Sequence, residues 1–409
     1  MDAINGADIA WVLISAALVM LMTPALGLFY GGLVRQKNVL STIMHSFFML
    51  ALISVQWVLW GYSLAFGPDK GGLIGGLEYV GLANVGAEPN ATYAATIPHQ
   101  AFMVYQMMFA IITPALISGA FAERKRFKSF AIFSLLWATL VYAPVAHWVW
   151  ADGGWIRKLG ALDFAGGTVV HITSGVSALV CALVLGKRLG HGEEPMEPHN
   201  VTMTVIGTAL LWFGWFGFNA GSALGANGLA VNAFITTNTA AAMATLTWMT
   251  ASWIRHQRPS VLGATAGAVA GLVGITPAAG FVTPMAAIVI GFAAGLGCFL
   301  AVEFVVRRRV DDALDVFGVH GVGGIIGALL TGVFASKAVN SAGVDGLVYG
   351  NPGLLGIQAL AVVVVALYAA AITWGLLKLI DVVWGVRVTV DEERTGLDMT
   401  QHGEPAYQM

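Results

Sequence analysis

Blocks of about 20 apolar residues recur along almost the whole chain, and each is long enough to cross the hydrocarbon core of a bilayer as a helix. In hydrocarbon the backbone must satisfy its own hydrogen bonds, which leaves helices or closed barrels as the spanning forms. Of the 409 residues 57% are hydrophobic and only 10% are Asp, Glu, Lys or Arg, against about 25% charged residues in soluble domains. Mean hydropathy is +0.78. Water cannot be the solvent for most of this surface, which excludes a soluble enzyme and a disordered scaffold. The net charge of −2 leaves no basic face for nucleic acid. The two cysteines, Cys181 and Cys298, lie inside apolar blocks and suggest neither a disulfide framework nor a metal cluster. The 51 glycines fit close helix packing in lipid. The expected fold is all-α and polytopic.

Eleven blocks are expected to span the bilayer: 8–34, 40–66, 99–122, 129–150, 164–186, 199–219, 232–254, 260–277, 284–306, 316–335 and 355–384. The eighth and tenth are short and glycine-rich, a pattern tolerated when a span is buried among its neighbours. Basic residues set the orientation. Arg35, Lys37, Arg124, Lys125, Arg126, Lys128, Lys187, Arg188, Arg255, Arg258, Arg307, Arg308, Arg309, Lys378, Arg387 and Arg394 fall on one side, 16 of the 20 Lys and Arg. Lys70, Arg157, Lys158 and Lys337 fall on the other. The N-terminus is therefore expected outside and the C-terminus in the cytoplasm. The first block reads as a retained helix and not a signal peptide, because Asp2 and Asp8 flank its start and Arg35 and Lys37 its end. The membrane domain is expected over 1–384, followed by a short charged tail over 385–409.

Two pairs of segments suggest an internal repeat. Asp163-Phe-Ala-Gly-Gly-Thr-Val-Val-His171 and Asp312-Ala-Leu-Asp-Val-Phe-Gly-Val-His320 each set Asp and His eight residues apart, at the fifth and tenth blocks. Ile112-Thr-Pro-Ala115 and Ile275-Thr-Pro-Ala278 fall in the third and eighth. The spacing predicts two five-helix copies, over about 8–186 and 199–335, with an eleventh helix over 355–384. Five is odd, so the copies would be inverted, with function near the midplane between them.

Ionisable groups within spans are functional candidates. Glu303 and His147 lie near span ends and are expected at the interface; His45, one turn into the second span, is expected to hydrogen-bond a neighbouring helix. His171 and His320 become equivalent under the repeat and would meet as a neutral pair sharing a proton. The alternatives are two unrelated packing histidines or a bis-histidine haem. Tyr105 and Phe109, Trp150, and Leu211-Trp-Phe-Gly-Trp-Phe-Gly-Phe-Asn-Ala-Gly-Ser222 gather aromatics at one side. They read either as an interfacial belt or as a cage whose ring faces attract a cation.

Taken together, these segments resemble the Amt/MEP/Rh family of ammonium transporters, the Amt branch in particular. The likeness rests on Gly27-Leu-Phe-Tyr-Gly-Gly-Leu-Val-Arg-Gln-Lys-Asn38, Asp163 to His171, Trp215 to Ser222, Asp315 to Gly324 and the tail Gly396 to Tyr407, and it covers nearly the whole chain. The resemblance implies a homotrimer in a bacterial inner membrane, with one pore per subunit, no enzyme activity and no cofactor. It implies an outer ammonium site carried by Phe109, Trp150, Phe218 and Ser222, with Asp163 supporting it. It also implies that Phe109 and Phe218 are stacked rings closing the pore, above the twin histidines His171 and His320, with Phe29 and Trp215 lining it. A PII-type signalling protein is the partner it suggests for the tail, which is expected to seat on a neighbouring subunit. Two departures stand out: Tyr105 replaces a usual Phe near the outer site, adding a hydroxyl there, and His45 replaces a common Gln.

Overall fold

The computed structural model describes residues 4–306 and 309–407; Asp2, which entered the retained-helix reading, and Arg307 and Arg308, which entered the orientation, lie outside them. Among the described residues ten helices are long and apolar enough to cross a membrane: Gly6–Leu33, Gln36–Phe66, His99–Phe121, Phe127–Lys158, Gly167–Leu185, Val201–Ala223, Gly228–His256, Pro284–Phe304, Phe317–Phe334 and Pro352–Trp384. The eleventh, Val261–Ile275, falls where the eighth span is expected and has only 15 residues. At about 1.5 Å per residue it is shorter than a bilayer core. It is completed by a buried turn through Thr276–Val282, so no bare backbone faces lipid.

Close packing follows the glycines. The first and sixth spans run antiparallel: Gly207 abuts Phe29, Gly214 abuts Met22 and Leu18, Gly217 abuts Leu18 and Ser15, and Gly221 abuts Ser15. The fifth and tenth also run antiparallel. Gly175 sits against His320 and Gly321, and Gly324 against Gly167, His171 and Ile172. Spans expected to be equivalent are thus oppositely directed, as inverted repeats require. Both carry a π-helical turn at the histidine, Gly167–Ile172 and Phe317–Gly321. Local chemistry repeats too: Thr113 donates to the Phe109 carbonyl (2.6 Å), and Thr276 to that of Leu272 (2.7 Å).

The connections sort onto two faces. Asn5 N–H donates to the Thr96 carbonyl, placing the start of the first span beside the connection between the second and third. The tail lies on the opposite face, folded onto loops of its own chain. Asn38 accepts from Leu397 N–H, Asp398 caps Ser41 N–H (both 2.9 Å), and Glu393 accepts from Leu189 N–H (2.7 Å). Tyr407 meets His199 at 3.1 Å. Expected against a neighbouring subunit, the tail has these seats within the same subunit.

A methyl group on Gly175 would overlap the backbone of Gly321. Gly175→Ala is expected to destabilise the protein by about 1–3 kcal/mol through overpacking, read as a lower melting point in detergent. Gly375→Ala, on an open surface, should leave it unchanged or raise it slightly, as Ala favours a helix.

Candidate functional site

The aromatic residues expected at one side converge on a vestibule of about 520 Å³ that is lined by Tyr105, Phe109, Trp150, Asp163 and Ser222. Phe109 of this vestibule meets Phe218 of the lumen beyond it, with ring centroids 4.4 Å apart. Their planes are inclined by 42°, so the expected stack is tilted; tilt keeps the negative ring faces from directly opposing. Trp150 stands edge-on to Phe109 at 5.9 Å and 86°. Its indole N–H donates to the Asp163 carbonyl at 2.9 Å, which fixes the ring at the rim.

The Tyr105 hydroxyl is fully buried. It lies 2.9 Å from the carbonyls of both Gly217 and Phe218 and 3.1 Å from Ser222 Oγ. Its proton is therefore used to hold the sixth span, so the added hydroxyl is a brace and not a free ligand. Ser222 can donate to the Phe218 carbonyl at 2.9 Å, which leaves its oxygen able to accept a further N–H.

Asp163 supports the site from behind. Oδ1 accepts from the N–H groups of Gly166 (2.9 Å) and Gly167 (2.6 Å), and Oδ2 from those of Thr168 (2.8 Å) and Val169 (3.2 Å). The Thr168 hydroxyl also donates to Oδ2. A helix start leaves its first N–H groups without intrahelical partners, and this carboxylate satisfies them. Gly166 permits the turn because its φ is +114°.

Below the gate lies a lumen with room for only about 10 Å³, roughly one water-sized sphere. Met22, Leu26 and Phe29 line one wall, Trp215 and Phe218 another, and His171 and His320 the third. The two imidazoles meet Nδ1 to Nδ1 at 3.2 Å. One nitrogen must donate and the other accept, so the pair shares a proton. His171 Nε2 is buried and lacks a hydrogen-bond partner among the described residues. Trp215 stacks on His171 at 5.4 Å and 22°, and its N–H is tied to Thr276 at 3.0 Å. Phe29 borders both this lumen and the cavity beyond it.

That second cavity, about 510 Å³, opens on the tail face and includes His320, Val319, Arg188, Asp311, Asp312 and Asp315 in its lining. A charged network frames it. Arg35 and Arg188 both bind Glu123, at 2.7 and 3.3 Å, and Arg188 binds Asp311 at 2.8 Å. Burial alone would raise the Asp311 carboxyl, but the Arg188 hydrogen bonds and the nearby Arg124 charge hold it down at about 2.

Two other expectations differ from what is found. His45 has no hydrogen-bond partner among the described residues; it packs between Phe121, Phe127 and Phe130, away from the lumen. His147 is fully buried, bonding the Ala65 carbonyl (2.8 Å) and Asp69 (2.9 Å), and so pins the fourth span to the end of the second and to the connection after it. The sequence reading missed Met22 and Leu26, although Met22, Leu26 and Phe29 share one helical face. It also missed Thr276, whose i−4 hydroxyl bond was visible only as a Thr-Pro kink.

An aromatic gate, a narrow apolar lumen and a vestibule at each end, within a bundle of apolar helices, define a multi-pass membrane channel or transporter for a small solute. Comparison with known proteins gives the family. The model described as Ammonium Transporter Family matches residues 10–407. An ammonium transporter of Bacillus subtilis is 55% identical over 403 residues, covering 98% of each chain. The ammonium transporter Amt1 of Archaeoglobus fulgidus is 49% identical over 98% of this chain and 100% of its own length. The crystal structure of Saccharomyces cerevisiae Mep2 superposes with a TM-score of 0.92 at 41% identity, covering 100% of this chain and 92% of that one. The chain belongs to the Ammonium Transporter Family.

The tail-face network generates a pH dependence. The Asp311 carboxyl, at about 2 in the folded protein, is depressed from an unfolded value near 3.9. Its contribution, on the order of 2 kcal/mol, is present in full above the unfolded value and is lost as pH falls from about 4 towards about 2. Thermal unfolding in detergent across that window should show the loss in the wild type. In Asp311→Asn that component should be absent, with a lower melting point at neutral pH.

Proposed function

We propose that this chain is an ammonium transporter that gathers NH4+ at the aromatic vestibule, deprotonates it near the gate and conducts ammonia along the histidine pair. The observation that carries this reading is the sequence of environments along one path. Rings able to attract a cation are followed by a closed Phe109/Phe218 contact, then by a lumen whose polar groups are imidazoles. Ring faces of Trp150, Phe109 and Phe218 attract the ion, and Ser222 Oγ accepts one of its N–H groups. Asp163 adds its field without a free lone pair to offer, because five donors already occupy its oxygens. Beyond the gate the ion would lose its hydration with no counter-charge, so the neutral form is the one that enters. Ammonia then finds His171 Nε2, a buried nitrogen in need of a partner.

The face bearing the tail is assigned to the cytoplasm because the connections there carry most of the basic residues. On this assignment the aromatic vestibule is proposed to face the outside of a bacterial inner membrane. The functional unit is proposed to be a homotrimer with a pore in each subunit, and a PII-type protein to dock at the tail face.

Recording currents from proteoliposomes under an ammonium gradient tests the reading and fixes the fate of the proton. Current with flux means the proton crosses, flux without current means ammonia alone crosses, and neither would refute transport. Trp150→Leu should raise the half-saturation for methylammonium uptake, equivalent to about 1–2 kcal/mol of lost attraction; an unchanged uptake curve would reduce Trp150 to an interfacial anchor. His171→Asp puts a carboxylate opposite an imidazole and should retain a cation in the lumen. Selectivity for ammonium over potassium, measured as currents per folded protein, should therefore fall. Wild-type selectivity in that variant would return the histidines to a packing role.

A further inference from the structure

The repeat that aligns His171 with His320 also aligns Asp163 with Asp312, and the two carboxyl groups are built differently. All the hydrogen-bonding capacity of Asp163 is turned towards its own helix start. Asp312 keeps the corresponding bond, with Oδ2 accepting from Phe317 N–H at 2.7 Å, five residues on as in Thr168. The chain turns through the left-handed region at the corresponding residue in both copies, Gly166 at φ +114° and Asp315 at φ +57°. Where the first copy has the Thr168 hydroxyl, the second has Phe317, which cannot donate. Oδ1, which in Asp163 accepts from the N–H groups of Gly166 and Gly167, is in Asp312 buried with no hydrogen-bond partner among the described residues. Asp312 is only 5% exposed, yet it lines the tail-side cavity together with His320.

The groups facing Asp312 favour its protonated form. Asp315 lies on the same connection, Tyr30 on the first span and Cys181 on the fifth. Arg124, after the third span, is a cation that acts on it, but its guanidinium donates to the carbonyls of Gly186, Ala122 and Asp311. Burial first, and then the charge of Asp315, push the Asp312 carboxyl up to about 7, against the weaker pull of the Phe317 and Val316 N–H groups and of Arg124. Two equivalent carboxyls with environments so different mark separate acid–base roles.

We propose that Asp312 is the proton-exchange residue at the tail-side mouth of the pore, returning a proton to ammonia as it leaves the lumen. This rests on the ammonia-conduction reading above. The Oδ–H bond of the neutral acid breaks as the nitrogen lone pair takes the proton, giving NH4+ and the Asp312 carboxylate. Hydronium in the water of the cavity then reprotonates the carboxylate and leaves as water. The charged product cannot re-enter a dry lumen, so the step gives the exit a direction.

The test compares wild type, Asp312→Asn and Asp312→Glu in proteoliposomes, with ammonium concentration fixed and pH varied on both sides from about one unit below to about one unit above 7. The acid form is lost as pH rises through its value. Wild-type flux should therefore carry an inflection near pH 7 that is absent in Asp312→Asn and returns, shifted, in Asp312→Glu. Infrared difference spectra should show a protonated-carboxyl band that titrates over the same range in the wild type and is missing in Asp312→Asn. An Asn variant with the wild-type inflection overturns the proposal. A wild type without a titrating carboxyl band does so as well, and that measurement decides even if the Asn variant fails to insert. Flux and current of the wild type, recorded in parallel, separate the two readings. If the wild type carries flux while Asp312→Asn keeps the wild-type inflection, the exchange role alone fails; if the wild type carries neither flux nor current, the conduction reading fails with it.

Discussion

The crossing of the fifth and tenth spans is the contact on which the rest of the pore depends. Each span has a glycine four residues after its histidine, Gly175 and Gly324, and each of these glycines lies against the other span at its histidine. With a side chain at either position the helices would stand further apart and a 3.2 Å contact between imidazoles could not form. The π-helical turns add the second requirement. An extra residue in the turn rotates the side chains that follow it relative to a regular helix, and such turns concentrate at functional sites. The glycines bring the backbones together and the π turns share the crossing point with the histidines.

The aromatic side chains along this path are held by polar bonds made outside it. Trp215 lies flat on His171 because its N–H is anchored on Thr276, a residue from the other half of the eighth-span kink. Trp150 stands at the vestibule rim because its N–H reaches the Asp163 carbonyl. Tyr105 spends its hydroxyl on the sixth span, beside the carbonyl of Phe218. In each case an aromatic face is presented to the path and a single polar edge faces protein. An aromatic with one donor suits this duty better than Phe, since a buried donor in hydrocarbon that finds one acceptor is fixed by it.

Much of this was legible in the sequence because the bilayer is a strict solvent. Apolar length alone located the spans to within a few residues at most ends, and the Asp-to-His spacing located the crossing pair. What escaped was set by contacts between distant segments. The intramolecular seat of the tail depends on Asn38, Ser41 and Leu189, none of which has a distinctive pattern of its own. His45 reads as polar in sequence, but three phenyl rings pack around it and it has no hydrogen-bond partner among the described residues. His147 reads as interfacial by position, yet Asp69, from the connection after the second span, reaches across to cover it. The π-helical turns have no signature in a hydrophobic pattern, since one extra residue per turn leaves the apolar block intact.

Magnitudes decide what can pass through such a path. A cation held between rings gains about 0.5–2 kcal/mol per good contact, and one accepted N–H adds about 1.5–3 kcal/mol for a charged donor. Moving an unpaired ammonium-sized ion into a medium like this lumen costs of order 20 kcal/mol before relaxation. On the proposed reading the vestibule concentrates the ion, whose charge faces that cost in a space of about 10 Å³ walled by Leu26, Phe29 and Leu211. The proposed deprotonation removes the cost by splitting the charge from the nitrogen. A shared-proton imidazole pair then offers the neutral molecule a donor and an acceptor, where potassium, which has no proton to give up, meets the full desolvation cost. Under the proposed mechanism, selectivity comes from what the lumen refuses, and attraction at the rings sets only how often a passenger arrives.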